Sequence, residues 1–172
     1  MSEQEKVKKA KRGNDQAFQE LIQKEKNKLY RMAYMYVKNE NDALDIVQET
    51  IYKAYISMKT LKENQYFSTW LTRILINKSL DSIKKNKHVI PIDKIEGIHT
   101  TEIHKAEDHI DLIDAINRLQ DQYKTIVILR YYKDYTVKQI AETLDCPEGT
   151  VKTHLHRAVK QLKMDLKEEG IR

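Results

Sequence analysis

Asp42-Ala43-Leu44-Asp45-Ile46-Val47-Gln48-Glu49-Thr50-Ile51 is the stretch on which the fold of this chain turns. Wound at about 100° per residue, Ala43, Leu44, Val47, Thr50, Ile51 and Ala54 fall in one sector of about 120°. Asp45, Gln48, Glu49 and Tyr52 share the sector turned away from them. A half-buried strand would alternate with period two, and this stretch does not. The reading is a helix from Asp42 to about Met58, with an apolar face for a core and a face of carboxylates, amide and phenol for a partner. Taken by itself, such an acidic face is most simply a solvated one. The sequence on either side decides between the two.

On the N-terminal side, Phe18, Leu21, Ile22, Leu29, Met32, Ala33 and Tyr36 form the apolar stripe of a helix expected from Asp15 to Val37. Asn39 to Asp42 is polar and supplies caps for the helix that follows. On the C-terminal side a third helix is expected from about Phe67 to Lys85, its apolar residues almost encircling it, which predicts contacts on several sides. With Gly at 4 and Pro at 2 in 172 residues, and charged residues at 33%, long helices are expected and a sheet-rich fold is not. The longest apolar runs are too short to span a bilayer, and Met1-Ser2-Glu3-Gln4-Glu5 has no signal-peptide core, so a cytoplasmic location is expected. Cys146, the single cysteine, leaves no intrachain disulfide and no cysteine-rich metal site.

Periodicity fails between His88 and Glu107. Val89-Ile90-Pro91-Ile92 reads as extended chain, because proline disfavours helix in the residue before it. A linker over 88–106 is the reading, with a short strand at Val89–Ile92 the alternative. From Asp93 to Asp121 acids outnumber bases eight to three, so the positive charge behind the formal +5 sits in the two flanking blocks. The expected organisation is therefore all-α, two small helical domains at 10–87 and 107–169 joined by that linker.

In the second block Ile110, Ile113, Ile116 and Leu119 mark a helical face, and Tyr123 to Tyr132 a second helix that buries Ile126, Val127 and Leu129. Thr136-Val137-Lys138-Gln139 is a capping box, after which Ile140, Ala141 and Leu144 face inward. Asp145-Cys146 forms a turn, and Pro147 suits the first position of a new helix. In that helix Val151, Leu155, Ala158 and Leu162 line one side, while Gly149, Thr153, His156 and Lys160 line the other, flanked by Lys152 and Arg157. This is the pattern of a helix-turn-helix with a basic outer face; the bland alternative is a helical hairpin with a solvated side. Arg and Lys meet guanine edges or phosphates, Thr and His bond to bases or backbone, and Gly149 lets the helix start approach a phosphate.

Two ordered motifs carry a resemblance. Asp42-Ala-x-Asp-x-x-Gln-Glu-Thr50 is similar to the polymerase-gripping region of bacterial sigma factors. Thr136-Val-Lys-Gln-Ile-Ala-Glu-Thr-Leu, with Gly149-Thr150-Val-Lys-Thr-His-Leu-His-Arg-Ala158, is similar to their C-terminal, −35-reading domain. The chain resembles the extracytoplasmic-function (ECF) sigma factors of the sigma-70 family over about Ala10 to Lys167. The resemblance implies that Asp45, Gln48, Glu49 and Tyr52 bind core RNA polymerase (its β and β′ subunits), and that Gly149, Thr150, Lys152, Thr153, His156, Arg157 and Lys160 read the −35 element. The segment from Phe67 to Lys85 is similar to the family's −10-handling helix. Trp70, Arg73, Asn77 and Lys84 on its stripe, which also holds Asp81, are then −10 DNA residues, with Asn64, Gln65 and Tyr66 in the loop that takes a flipped base. Trp70 reads equally as core.

The same resemblance implies promoter DNA as a partner, an anti-sigma factor that is often membrane-anchored, and a role in envelope stress. It implies no cofactor and no small-molecule substrate. No phosphate-binding glycine loop, nucleophile elbow or metal cluster is present in the sequence, so an enzyme is not expected. His154 and His156 lie about 200° apart on a helix and do not share a metal. A conventional helix-turn-helix regulator, acting on its DNA without polymerase, is the alternative, though no dimerisation helix or ligand domain accompanies the motif.

Overall fold

The computed structural model describes residues 1–88 and 107–168, with side chains described for 1–86 and 112–168. The expected linker over 88–106 and the extended Val89–Ile92 within it lie, apart from His88, outside the described residues. All regular structure among the described residues is helical. The chain divides into two compact units, the first carrying α1 (Glu3–Lys11), α2 (Asp15–Val37), α3 (Glu40–Ser57) and most of α4 (Phe67–His88). The second carries α5 (Glu107–Arg118), α6 (Asp121–Val127), α7 (Val137–Leu144) and α8 (Glu148–Glu168).

In the first unit α2 occupies the expected span, and every residue of its expected stripe is buried. Its start is set by Asn14, whose side chain accepts the Ala17 N–H, and its end by Lys38 in a left-handed conformation. Asn39 caps α3 in the same manner, through the Asp42 N–H. Packing of α2 on α3 brings Leu29, Met32 and Ala33 into one core with Ala43, Val47 and Ala54. Each large apolar side chain so buried contributes roughly 1.5–3 kcal/mol.

Three features of this unit differ from the sequence reading. Leu44, expected in the core, is 46% exposed, and Ile46, which was not placed there, is 4% exposed. The buried face of α3 is Ala43, Ile46, Val47, Thr50 and Ala54, turned from the expected sector towards Ile46. Second, α4 is not surrounded: Phe67, Leu71, Thr72, Leu75, Ile76 and Ser79 are buried, and the opposite side is solvated. Third, α1 had no counterpart in the sequence reading. It begins with a capping box between Ser2 and Glu5, buries Val7 and Ala10, and packs on α2. A Lys6–Glu20 ion pair at 2.7 Å and a second between Lys24 and Glu3 join the two helices.

In the second unit Ala115, Leu119, Val127, Ala158 and Leu162 form a core cluster, with Ile116, Tyr123 and Leu166 against it. Ile126, Val127 and Leu129 are buried as expected, but Ile113 is 49% exposed, because Ala115 takes the inward position on α5. The helix of α6 continues as a π-helical turn over Ile128–Tyr132, closed by the Lys133 N–H on the Ile128 carbonyl. Arg130 then donates to the Tyr135 carbonyl at 2.9 Å, folding the connection back onto that turn before α7 begins.

Candidate functional site

The outer face of α3 presents Asp45, Gln48, Glu49 and Tyr52 to solvent, all four as expected. Burial of Ala43, Ile46, Val47, Thr50 and Ala54 on the opposite side fixes that presentation, and the Thr50 hydroxyl is satisfied by the Ile46 carbonyl at 2.7 Å. Exposed apolar and aromatic groups missed by the sequence reading join this face: Leu44, Tyr55 and Ile56. Tyr55 stacks edge-on against Phe18 and donates its hydroxyl to Asp15 of α2 at 2.8 Å, an interaction that holds its phenol above its ordinary pKa. A shallow groove of about 480 Å³ lies there, lined in part by Phe18, Gln48, Ile51 and Tyr52. Glu49 also carries an ion pair with Lys78 of α4 at 3.1 Å, so part of its charge is already answered inside the unit. Aromatic and aliphatic side chains exposed together are enriched at protein interfaces, and this face carries them beside its carboxylates.

On α4 the structure places Arg73, Asn77, Asp81 and Lys84 on the exposed side, as the stripe predicts. Trp70 is half-buried, its ring tilted 6.1 Å from that of Phe67, so the core and stacking readings meet in one residue. The loop before α4 is anchored at both ends by buried residues, Leu61 and Phe67. Between them a single 3-10 turn, Asn64–Tyr66, exposes Gln65 and Tyr66 and leaves Asn64 half-buried. Lys11, at the end of α1, reaches this loop and donates to the Leu61 carbonyl at 2.6 Å. Neither Lys11 nor Lys78 was singled out from sequence. The signal for the helix that carries Lys11 was legible, in the spacing Ser2-x-x-Glu5 followed by Val7 and Ala10.

The helix-turn-helix forms, with Leu144 and Leu155, both expected to face inward, only half-buried. Thr136 and Gln139 exchange both capping-box hydrogen bonds, at 3.2 and 2.9 Å. Asp145 is left-handed, Cys146 donates back to Ala141, and Pro147 stands one residue before α8 with its carbonyl accepting from Thr150 and Val151. Val151 and Ala158 are fully buried and Leu162 nearly so. Gly149, Lys152, Thr153, His156, Arg157 and Lys160 are exposed and Thr150 is half-buried, so the basic side of α8 is open along three turns. A Cβ at Gly149 would meet nothing within 4 Å, so no neighbour within the chain requires a glycine there. His154 instead turns inward, edge-on to Tyr123 with centroids 5.3 Å apart.

These two arrangements match two models of one family: Sigma-70 region 2 over residues 21–89 and Sigma-70, region 4 over residues 109–162. The RNA polymerase sigma factor SigV of Bacillus subtilis is 40% identical over 85% of this chain and 89% of its own length. The ECF RNA polymerase sigma factor SigW of the same organism is 30% identical over 94% of this chain and 95% of its own. The chain belongs to the ECF sigma factors. As a member of that family it is a transcription initiation factor, working with RNA polymerase at promoters. Solved structures agree in fold: CnrH, in complex with the cytosolic domain of CnrY, has a TM-score of 0.75 at 20% identity, covering 96% of this chain and 97% of that one. The sigma factor RpoE of Bartonella quintana, solved with the anti-sigma factor NepR, has a TM-score of 0.70 at 23% identity over 87% and 96% of the two chains. No described helix of this sigma factor is long and apolar enough to cross a membrane.

Proposed function

We propose that this sigma factor binds core polymerase through Asp45, Gln48, Glu49 and Tyr52 on α3, and that Leu44, Tyr55 and Ile56 widen the same interface. The observation that carries this reading is the exposed mixture of carboxylates and aromatics on a helix whose other side is fully committed to the core. Arg73, Asn77 and Lys84 then face −10 DNA, half-buried Trp70 stacks on a base, and the Asn64–Tyr66 turn receives an unpaired base. Gly149, Thr150, Lys152, Thr153, His156, Arg157 and Lys160 meet the −35 duplex, the cations on guanine edges or phosphates and Gly149 at a phosphate near the helix start. The first domain (10–87, extended at its start by α1) and the second (107–169) thus divide the promoter between them, with 88–106 as the connection.

The protein acts in the cytoplasm, catalyses no reaction of its own and needs no cofactor, since polymerase supplies the chemistry. An anti-sigma factor, membrane-anchored and released by an envelope signal, covers the α3 face; that RpoE was solved with the anti-sigma factor NepR supports the existence of such a partner by analogy. Runoff transcription tests the reading, with purified core polymerase, this protein and the promoter region of its own operon. A discrete transcript dependent on the protein is the expected result. Polymerase binding that is unaffected by charge reversal at Asp45 and Glu49 would remove the α3 assignment.

A further inference from the structure

Beside the Asn64–Tyr66 turn lies a groove of about 590 Å³ between α1 and the loop. Its cations are Lys8, Lys11 and Arg12 from the α1 side and Lys62 from the loop, against the single carboxylate of Glu63. Four positive charges around one negative focus a positive potential in the groove, which attracts a polyanion. Three of the four cations stand exposed, at Lys8, Arg12 and Lys62.

Lys11 behaves differently. It is half-buried, and its ammonium donates to the Leu61 carbonyl at 2.6 Å, to Asn64 Oδ1 at 3.3 Å and to the Lys62 carbonyl at 3.5 Å. One side chain therefore ties together the three residues that set the path of the turn. An ammonium only donates, so Asn64 commits its oxygen to Lys11 and keeps its two amide N–H donors for another group. The helix that delivers Lys11 is itself held, by buried Val7 and Ala10 and by the ion pairs to Glu20 and from Lys24. Gly13, at φ +91, ends α1 immediately after Arg12, a conformation that a residue with a side chain adopts only under strain.

We propose that α1 is part of the promoter-opening surface: Lys11 is the positioning residue that sets the Leu61–Asn64 turn for a base with acceptors on its edge, and Lys8, Arg12 and Lys62 seat the phosphates of the displaced strand. This rests on the assignment of the loop to −10 DNA made above. The role of α1 is electrostatic and positional, and it extends the strand's path beyond α4.

The test uses holoenzyme assembled from the whole chain and core polymerase. The probe is a fluorescent single-stranded oligonucleotide carrying the non-template −10 sequence of its own promoter, followed by anisotropy over a salt series. Lys8→Glu with Arg12→Glu weakens oligonucleotide binding about tenfold and flattens the plot of log Kd against log salt by about 1.4, the value for two lost single-strand phosphate contacts. Lys11→Met lowers discrimination between −10 base substitutions about fivefold with polymerase affinity unchanged, and Lys11→Arg restores part of it, since a guanidinium also donates to carbonyls. An unchanged Kd and salt slope in the double variant, or unchanged base discrimination in Lys11→Met, overturns the proposal. Joint loss of polymerase binding in Lys11→Met would make its role merely structural and overturns it too. Wild-type holoenzyme that fails to bind the oligonucleotide at all overturns the −10 assignment itself, and this inference with it.

Discussion

The proposed −35 surface of the second unit is concentrated on one helix, α8, whereas the proposed polymerase and −10 surfaces of the first unit are spread over α3, α4 and a loop that α1 contacts through Lys11. The position of α8 is set by signals close together in the chain, between residues 136 and 162: the Thr136–Gln139 box, left-handed Asp145, Pro147 and the spacing of Val151, Ala158 and Leu162. In the first unit, which side of α3 faces out depends on what α2 covers, and the position of the 61–66 loop depends on a lysine fifty residues earlier. Local code suffices for a helix that reads DNA by itself. A surface assembled from several elements depends on long-range packing.

The largest effect is expected at the proposed polymerase face. Asp45→Lys with Glu49→Lys is expected to weaken core polymerase binding about 30- to 700-fold, the about 2–4 kcal/mol that central interface residues carry. Both side chains are exposed, and only Glu49 gives up an internal partner, Lys78, so the fold survives. Surface plasmon resonance on immobilised core polymerase measures the loss, and circular dichroism verifies the fold. If binding drops only slightly, the exposed Leu44, Tyr55 and Ile56 carry the interface instead, and their alanine variants become the decisive set.

A stability experiment sharpens the same contrast. Ile46→Ala is expected to cost roughly 2–4 kcal/mol in urea unfolding, as for buried aliphatic truncations generally. Leu44→Ala, at 46% exposure, is expected to cost below about 0.5 kcal/mol. The sequence alone favours the opposite ranking, so reversal of the two values would return α3 to its expected orientation. The physical reason for the misreading lies in the helix ends of the apolar sector. Ala43, Val47, Thr50 and Ala54 define its centre, and both Leu44 and Ile46 flank it. Ile46 lies about 40° beyond Thr50, while Leu44 lies about 60° beyond Val47. That margin was legible, but the acidic neighbours of Ile46 concealed it.

Elsewhere the sequence carried much more. The span of α2 and its whole buried stripe, both helices of the helix-turn-helix, and the exposed side of α8 follow from apolar period and capping chemistry. Among the described residues, α1 was legible in principle, because a Ser-x-x-Glu box precedes two apolar residues three apart. Only nine residues long, it has too few apolar positions to establish a period and is stabilised by its contacts with α2. Ile113 failed for a similar reason: a chain of isoleucines spaced by three drifts around the helix, and the smaller Ala115 fits the close approach to α8.

Within α8, Arg157→Ala is expected to weaken binding of holoenzyme to −35 duplex about tenfold, within the roughly 1–3 kcal/mol of a cation on a guanine edge. Competition with unlabelled promoter duplex measures it, and polymerase affinity stays constant because α8 is not part of the α3 face. A normal −35 footprint would shift the recognition register along the helix, towards Lys152 or Lys160.

The smallest effect concerns how α1 is held. Glu20 is lowered from the ordinary carboxylate value chiefly by the hydrogen bond from Lys6 and by the charge of that same ammonium. A carboxylate depressed in the folded state contributes stability above its unfolded value, and that contribution disappears as pH falls through the folded one. The contribution of the Lys6–Glu20 pair to holding α1 on α2 is therefore complete at neutral pH and is lost progressively as pH falls below about 4.3, where an unfolded glutamate takes up its proton. Glu5 points the same way, lowered first by the backbone hydrogen bond from Ser2 in the capping box. The Val7 methyl resonances, buried at neutral pH, are expected to move towards random-coil positions in acid before the α2 and α3 methyls do. Glu20→Gln removes that pH dependence in part, because an amide still accepts from Lys6 but does not titrate. If Val7 and the α2 core shift together, α1 is not an independently tethered arm, and the loop it positions through Lys11 is as stable as the core itself.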